Sequence, residues 1–304
     1  MTSAISTPWP TEADQPLHIA ELWVYPVKSC AGVRVARSPL LATGLEWDRC
    51  WMVVDADGEF VSQRELPRMA LIQPSFRLGQ LVLRAPGMLA LHLQLDAAEA
   101  PARVRVWDDE VDAYDMGDVA AQWFSDFLAP GAPASLQRLR LVRFDPEVQR
   151  LSSLQWTGGV PAPNQFGDGF PLLVTTVAAL TDLNQRLAAA GAAPVDMRRF
   201  RPNLVLDGVG AHDEDRFNAI YLADDRGSLV HLQPVKPCAR CSIPDVHPDT
   251  AATGEAVGQA LRAYRADARV GGAITFGMNT IVRAGAETEL FEGQAGRGAW
   301  AGWS

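Results

Sequence analysis

Apolar residues recur along this chain mainly at every second position, and only three stretches carry them at helical spacing, so the pattern predicts an α+β, β-rich fold. In "LHIAELWVYPVKSCAGVRV", Ile19, Leu22 and Val24, then Val33 and Val35, predict short strands interrupted at Pro26 and Gly32. The stretch "RCWMVVDADGEFVSQRE" predicts a hairpin turning at Asp57-Gly58. In "LVLRAPGMLALHLQL", Leu89, Leu91, Leu93 and Leu95 alternate with Ala90, His92 and Gln94, which puts one face in a core and the other in water. "RVRVWDDEVDAYD" continues in the same style.

The period changes at "VAAQWFSDFL", where Trp123, Phe124, Phe127 and Leu128 lie on one helical face and Pro130-Gly131 stops the run. A second helix is predicted in "TTVAALTDLNQRLAAAG", with a threonine at its start, Leu180, Leu183 and Leu187 on one face, and Gly191 just past its end. "EAVGQALRAYRA" predicts a third, shorter one. "RPNLVLDGV", "AIYLADDRGSLVHLQPV" and "AITFGMNTIVRAG" read as strands, with a turn at Asp225 to Gly227. "QWTGGVPAPNQFGDGFP" reads as a long loop, and long loops are often functional. Residues 18–115 are therefore expected to form a mainly β domain and 116–290 an α+β domain, with 1–17 and the Gly-rich 291–304 as tails.

Composition narrows the function classes. A chain of 304 residues with 48% hydrophobic and 21% charged residues has the make-up of an ordinary globular protein. Its net charge of -9 disfavours a phosphate backbone or an anionic membrane as the main partner, since both attract basic surfaces. The start "MTSAISTPWPTEADQP" has neither a cationic nor an apolar leader region, and the expected location is cytoplasmic. Four cysteines without a regular framework agree with reduced thiols.

The candidate chemistry centres on "VKPCARCSIPDVHPDTAATG". A closed zinc site takes four ligands, and the pair Cys238 and Cys241 supplies two, with His231 and His247 at spacings that fit no common knuckle. A redox dithiol sits at a helix start, whereas the prolines of "SIPDVHPDT" oppose a helix here. Two readings stay open: small buried residues, or a metal-binding thiolate. Lys236 and Arg240 beside the thiols favour the charged form. Lys28 and Ser29 in "WVYPVKS", Arg49 in "WDRCW" and Arg201 with Asn203 in "FRPNLVL" are further polar candidates, each on its own most often a solvated surface group.

Together, "LWVYPVKSCAGVRV", "GLEWDRCWMVVDADGEFVSQRELPRMALIQP", "FGDGFPLLVTT", "FRPNLVLDG", "KPCARCSIPDVHPDT" and "FGMN" make the chain resemble MOSC proteins with an N-terminal β-barrel domain, the group that includes the mitochondrial amidoxime-reducing component and bacterial relatives. The resemblance spans residues 18 to about 285. It implies a MOSC N-terminal β-barrel-like domain over 18–115, a MOSC β-barrel domain over 116–290, and a molybdenum cofactor (molybdenum on molybdopterin) between them. By position, Cys241 is implied as the metal ligand and the catalytic residue, with Lys28, Ser29, Arg49, Asp168, Arg201 and Asn203 holding the cofactor. The implied activity is reduction of N-hydroxylated compounds (amidoximes, hydroxylamines, N-hydroxylated bases) with electrons from a flavoprotein reductase or ferredoxin-type donor. The implied alternative is a cofactor or persulfide carrier. Ala239 and Phe170 depart from the polar residues of some relatives, and no cysteine-rich ferredoxin segment is present in this sequence.

Overall fold

The computed structural model describes residues 9–224 and 228–302; the turn predicted at Asp225 to Gly227 lies outside the described residues. A closed barrel of seven strands dominates: β1 (Gln15–Val24), β2 (Leu172–Thr176), β3 (Leu204–Asp207), β4 (Phe217–Ala223), β5 (Leu229–Ala239), β6 (Ala273–Ala284) and β7 (Ala295–Trp300). Around the barrel they run β2-β3-β1-β7-β4-β5-β6, and β6 pairs back onto β2. Closure leaves these strands without a free edge. Only β2 and β3 are parallel, joined by the helix Val177–Ala189, the crossover that parallel neighbours need.

The sequence of β1 shows how pattern becomes shape. Its buried residues are Leu17 and Ile19, then Leu22 and Val24, so the alternation slips by one position after Ile19. A strand whose period slips must bulge to keep both pairs inside, and the pairing with β3 shifts register between Ile19 and Glu21. These four residues pack with Leu172, Val174, Leu204, Leu206, Ile220, Leu222, Val230 and Leu232 as the barrel core.

The Gly-rich stretch read from sequence as a loose tail is instead β7, paired to β1 on one side and β4 on the other. Its glycines fit because the barrel wall leaves no room for a side chain: a Cβ at Gly298 would lie 2.5 Å from the Phe217 ring. Composition alone reads such a segment as loose; close backbone approach is the reason it is not.

The helices cover the barrel from outside. Thr176 caps the crossover helix by accepting from the Ala179 amide at 3.1 Å, and Leu183 and Leu187 pack with Val257 and Leu261 of the helix Ala256–Arg262 against Phe200 and Phe276. Leu180 is only partly buried at the edge of this layer.

A second body is built from the four-stranded sheet Trp51–Val54, Arg140–Phe144, Asp109–Asp115 and Ala100–Val106, and from the meander Gln73–Arg77, Gln80–Arg84, Leu91–Gln94. The helix Asp118–Leu128 buries Trp123, Phe124, Phe127 and Leu128 between them, as its spacing predicts. The alternation beginning at Leu89 starts one step later: Leu89 is 89% exposed, its carbonyl taken by the Trp123 indole at 2.8 Å, and the strand begins at Leu91. The hairpin predicted over residues 49–65 keeps its turn, where Asp55 Oδ1 accepts from the Asp57 and Glu59 amides at 3.0 Å each. Its second arm forms no full strand: it makes isolated bridges from Phe60 to Val54 and from Glu59 to Arg105, and Val61 N donates to Val53 O at 2.9 Å. The class is α+β and β-rich, as expected. Among the described residues no helix is long and apolar enough to cross a membrane.

Candidate functional site

A cleft of about 290 Å³ is lined by side chains of both bodies, and all seven residues singled out from sequence line it: Lys28, Ser29, Arg49, Asp168, Arg201, Asn203 and Cys241. Each is delivered by a specific piece of backbone. The chain leaving β1 is pinned to the sheet strand Trp51–Val54, with the Arg49 amide donating to Tyr25 O at 2.8 Å, Trp51 N to Pro26 O at 3.0 Å and Lys28 N to Trp51 O at 2.8 Å. Lys28 and Ser29 therefore sit directly beside Arg49. Ser29, Arg49 and Arg201 all have left-handed backbone, at φ 66°, 52° and 59°. Non-glycine residues rarely adopt that region, and a cluster of them at one cleft is characteristic of functional geometry.

Four cationic side chains converge, and among the described residues only Arg49 of these has a carboxylate partner. Arg201 donates to the Cys30 carbonyl and rests over the Tyr25 ring. Burial, and the neighbouring Arg49 charge, push its pKa down to about 10. Arg49 is better balanced, with Asp48 Oδ2 at 2.5 Å and the Arg201 carbonyl at 2.9 Å. Lys236 lies over the rings of Trp156 and Phe170, at 5.2 and 5.9 Å from their centroids. Arg240 donates to Cys238 Sγ at 3.0 Å and to Phe200 O at 2.9 Å, while its buried Nε has no protein partner. Among the described residues, Arg201, Lys236 and Arg240 have no carboxylate within ion-pair distance. A pocket with surplus, partly buried positive charge is suited to an anion.

Lys28 and Asp168 form an ion pair at the cleft, and Lys28 Nζ also donates to Phe166 O at 2.9 Å. Burial depresses the Lys28 pKa, opposed by Asp168. The Asp168 side chain is exposed at the cleft; surrounding protein pushes its pKa upward, but the Lys28 ammonium and the Trp107 indole, which donates at 3.2 Å, outweigh this and hold the carboxyl well below the usual carboxylate range. Its loop is organised by buried Arg150, which donates to Asn164 Oδ1, Gln165 O and Gly167 O at 2.6, 2.8 and 2.6 Å and pairs with Asp109 at 2.7 Å.

The thiols divide into two kinds. Cys30 and Cys50 are buried, and burial pushes the Cys30 pKa up to about 12 and raises that of Cys50, whose Sγ donates to Gln165 Oε1 at 2.7 Å. Cys238 is half-buried and Cys241, past the end of β5, is exposed at the cleft. Among the described residues no three His, Cys, Asp or Glu side chains converge as a metal site of their own. The donor set is one accessible soft thiol surrounded by cations, and it fits a metal that arrives already bound to an anionic organic ligand.

Asn203 lines the cleft but spends its amide on backbone: Oδ1 accepts from Leu173 N at 3.0 Å and Nδ2 donates to Trp23 O at 3.2 Å. It ties β1 to β2 immediately after Arg201. Sequence reading missed Arg150 and the aromatic wall of Phe60 and Trp107, whose rings lie 4.9 Å apart, with Arg64 over Trp107 at 4.7 Å. Their only signal was position, in the arm after the Asp57-Gly58 turn and at the tip after β-rich "RVRV".

Residues 17–130 match the MOSC N-terminal beta barrel domain, and residues 161–290 match the MOSC domain. Mitochondrial amidoxime-reducing component 1 of Mus musculus is 35% identical over 240 residues, 76% of this chain and 66% of that protein. The Homo sapiens protein of the same name is 33% identical over 254 residues, covering 80% and 71%. Molybdenum cofactor sulfurase of Bos taurus is 29% identical over 260 residues, 81% of this chain and 29% of that protein. The chain thus spans about two thirds of the length of the amidoxime-reducing components and less than a third of the sulfurase.

Proposed function

Because this chain belongs to the MOSC family, with a MOSC N-terminal β-barrel domain followed by a MOSC domain, we propose that it is a molybdenum-cofactor-dependent oxidoreductase that reduces N-hydroxylated compounds. One observation carries the reading: an exposed thiol, Cys241, shares a single cleft with Arg201, Lys236 and Arg240, none of which has a carboxylate partner among the described residues. A phosphorylated pterin bearing a dithiolene-bound metal supplies the missing negative charge, and a thiolate is the soft ligand its metal takes.

In this reading Cys241 is the protein ligand to molybdenum. Arg49 and Arg201 present guanidinium forks, and Lys28 a point charge, to the phosphate end, with Ser29 beside them. Asp168 holds Lys28 in place through their ion pair, and Asn203 acts by fixing the backbone that carries Arg201. Phe60 and Trp107 form an aromatic wall of the cleft. The bound cofactor supplies two-electron reduction of an N–O bond. Electrons come from a separate flavoprotein reductase or ferredoxin-type protein.

The test is direct. Purified protein should contain molybdenum and a pterin in equal amounts, and should reduce benzamidoxime when supplied with reduced viologen. Cofactor present without turnover would assign it to carriage of the cofactor or of sulfur; absence of both molybdenum and pterin from protein made in cofactor-replete cells would overturn the assignment.

A further inference from the structure

Behind Arg201 lies a second cavity, of about 350 Å³, whose walls include Trp23, Arg34, Arg198, Arg199, Arg201 and Ile243. Arg201 and Ile243 also line the first cleft, so these two side chains form the partition between the cavities. Four arginines face the second cavity and one carboxylate, Asp249, does so. That carboxylate is already taken by the Arg198 fork, at 2.8 Å on each oxygen, and Arg34 is paired with Glu292 at 2.7 Å. Arg199 and Arg201 are left over. Arg199 makes one hydrogen bond, from Nη1 to Pro244 O at 3.0 Å, and Arg201 reaches the Cys30 carbonyl; neither has a carboxylate within ion-pair distance among the described residues.

We infer that this second cavity is a binding site for a phosphate ester, held by Arg199 from one side and by Arg201 from the partition. Two guanidiniums one residue apart, flanking the buried Phe200, offer several N–H donors to a tetrahedral oxyanion that has acceptors on every side. The Trp23 ring supplies an apolar face beside them. The phosphate has two chemical sources: a nucleotide extension of the pterin in the first cleft, passing the Arg201 partition, or a separate phosphorylated metabolite. The site stands on its own residues and survives the failure of the redox reading.

Pyrophosphate is the probe, titrated calorimetrically at low ionic strength into full-length protein made in cells that cannot synthesise the pterin. Two equivalents should bind, one in each cavity, because without its pterin the first cleft is an anion site as well. Arg199→Ala should weaken one of the two at least tenfold and Arg199→Lys less, while Lys28→Ala, which changes the first cleft only, should weaken the other and leave this one within twofold. Folding of each variant is checked by its urea midpoint, and the lysine variant keeps the test valid if the alanine variant unfolds. Absence of binding, binding indifferent to both Arg199 substitutions, or a single equivalent that is lost in Lys28→Ala would each overturn the assignment, the last by placing the anion in the first cleft. The source is read from cofactor-loaded protein. One nucleotide released by acid per pterin identifies the extension; no nucleotide, with pyrophosphate still titrating, identifies a separate ester; no nucleotide and no titration together overturn the site.

Discussion

Arg49 and Arg201 lie against the same aromatic ring, each guanidinium carbon 4.4 Å from the centroid of Tyr25, and Arg49 Nη2 donates to the Arg201 carbonyl at 2.9 Å. Two like charges at this proximity are held by π-contacts and backbone bonds, with one carboxylate, Asp48, answering for Arg49. Arg201 keeps a surplus charge, and in the proposed function a bound phosphate would relieve it.

Loss of the Arg201 fork should therefore show in cofactor retention. A charged hydrogen bond contributes about 1.5 to 3 kcal/mol, roughly ten- to a hundredfold in affinity. Arg201→Ala should lower the molybdenum content of purified protein strongly, and Arg201→Lys by less, since lysine keeps the charge and loses the bidentate geometry. Unchanged metal content in both variants would make Arg201 a structural charge only.

Tyr25 separates ring from hydroxyl. Its hydroxyl is buried without a protein partner, and burial holds its pKa above the usual phenol value. Tyr25→Phe keeps both cation–π contacts and removes an unsatisfied oxygen, so it should be neutral or stabilising in a urea melt. Tyr25→Leu should destabilise by about 1 to 3 kcal/mol and lower cofactor retention. A destabilised phenylalanine variant would mean that the hydroxyl is satisfied in solution.

The two cleft thiols make an asymmetric pair, because Arg240 donates to Cys238 while Cys241 is the exposed one. Cys241→Ser replaces a soft ligand with a hard hydroxyl and should abolish turnover and shift the metal's visible absorption. Cys238→Ser keeps an acceptor for Arg240 and should retain molybdenum. Equal metal loss in both would point to a site that uses the two sulfurs together.

At the end of β2 a buried carboxyl makes stability depend on pH. Glu214 is fully buried, Thr176 donates to its Oε2 at 3.1 Å, and its Oε1 has no protein partner. Burial, with repulsion from Asp215, raises its pKa from 4.5 to about 8. The folded state then holds a proton that the unfolded state releases, so this contribution is complete below about pH 4.5 and is lost progressively as pH rises to about 8. Glu214→Gln should remove a loss on the order of a few kcal/mol across that window and flatten the urea midpoint between pH 5 and 8. His212, whose pKa burial lowers to about 4, acts with the opposite sign, its contribution present above pH 6.5 and lost on acidification. Identical slopes in wild type and Glu214→Gln would show that Glu214 is ionised in the folded protein.

What the sequence shows of this site follows from which interactions are local. Alternation, caps and turns are local, and they are legible in the helices Asp118–Leu128 and Val177–Ala189 and in most strands. The basic residues of the cleft are visible as types, but only closure of the barrel sets Lys28 and Arg49 opposite Arg201 and Cys241, and no spacing encodes that. Arg150 reads as any surface arginine until its loop is seen folded around it. Asn203 reads as a ligand-binding amide, and only the register of β1 against β3 shows backbone taking both ends. Residues 295–300 carry too little apolar pattern to announce a strand, because their contribution is the absence of side chains.

That absence is testable at Gly298, opposite Gln15 on β1 and Ile220 on β4. The Phe217 ring fills the space a side chain would need, with three of its atoms within 2.5 to 2.9 Å of an added Cβ. Gly298→Val favours extended backbone and so leaves local propensity intact, which isolates the packing effect. Overpacking of this kind costs about 1 to 3 kcal/mol, so the urea midpoint should fall and β7 amides should exchange faster with solvent. Pairing the variant with Phe217→Leu, which vacates part of that space, should recover a measurable share of the loss. A Gly298→Val protein as stable as wild type would mean that β7 is not a stave of the closed barrel in solution.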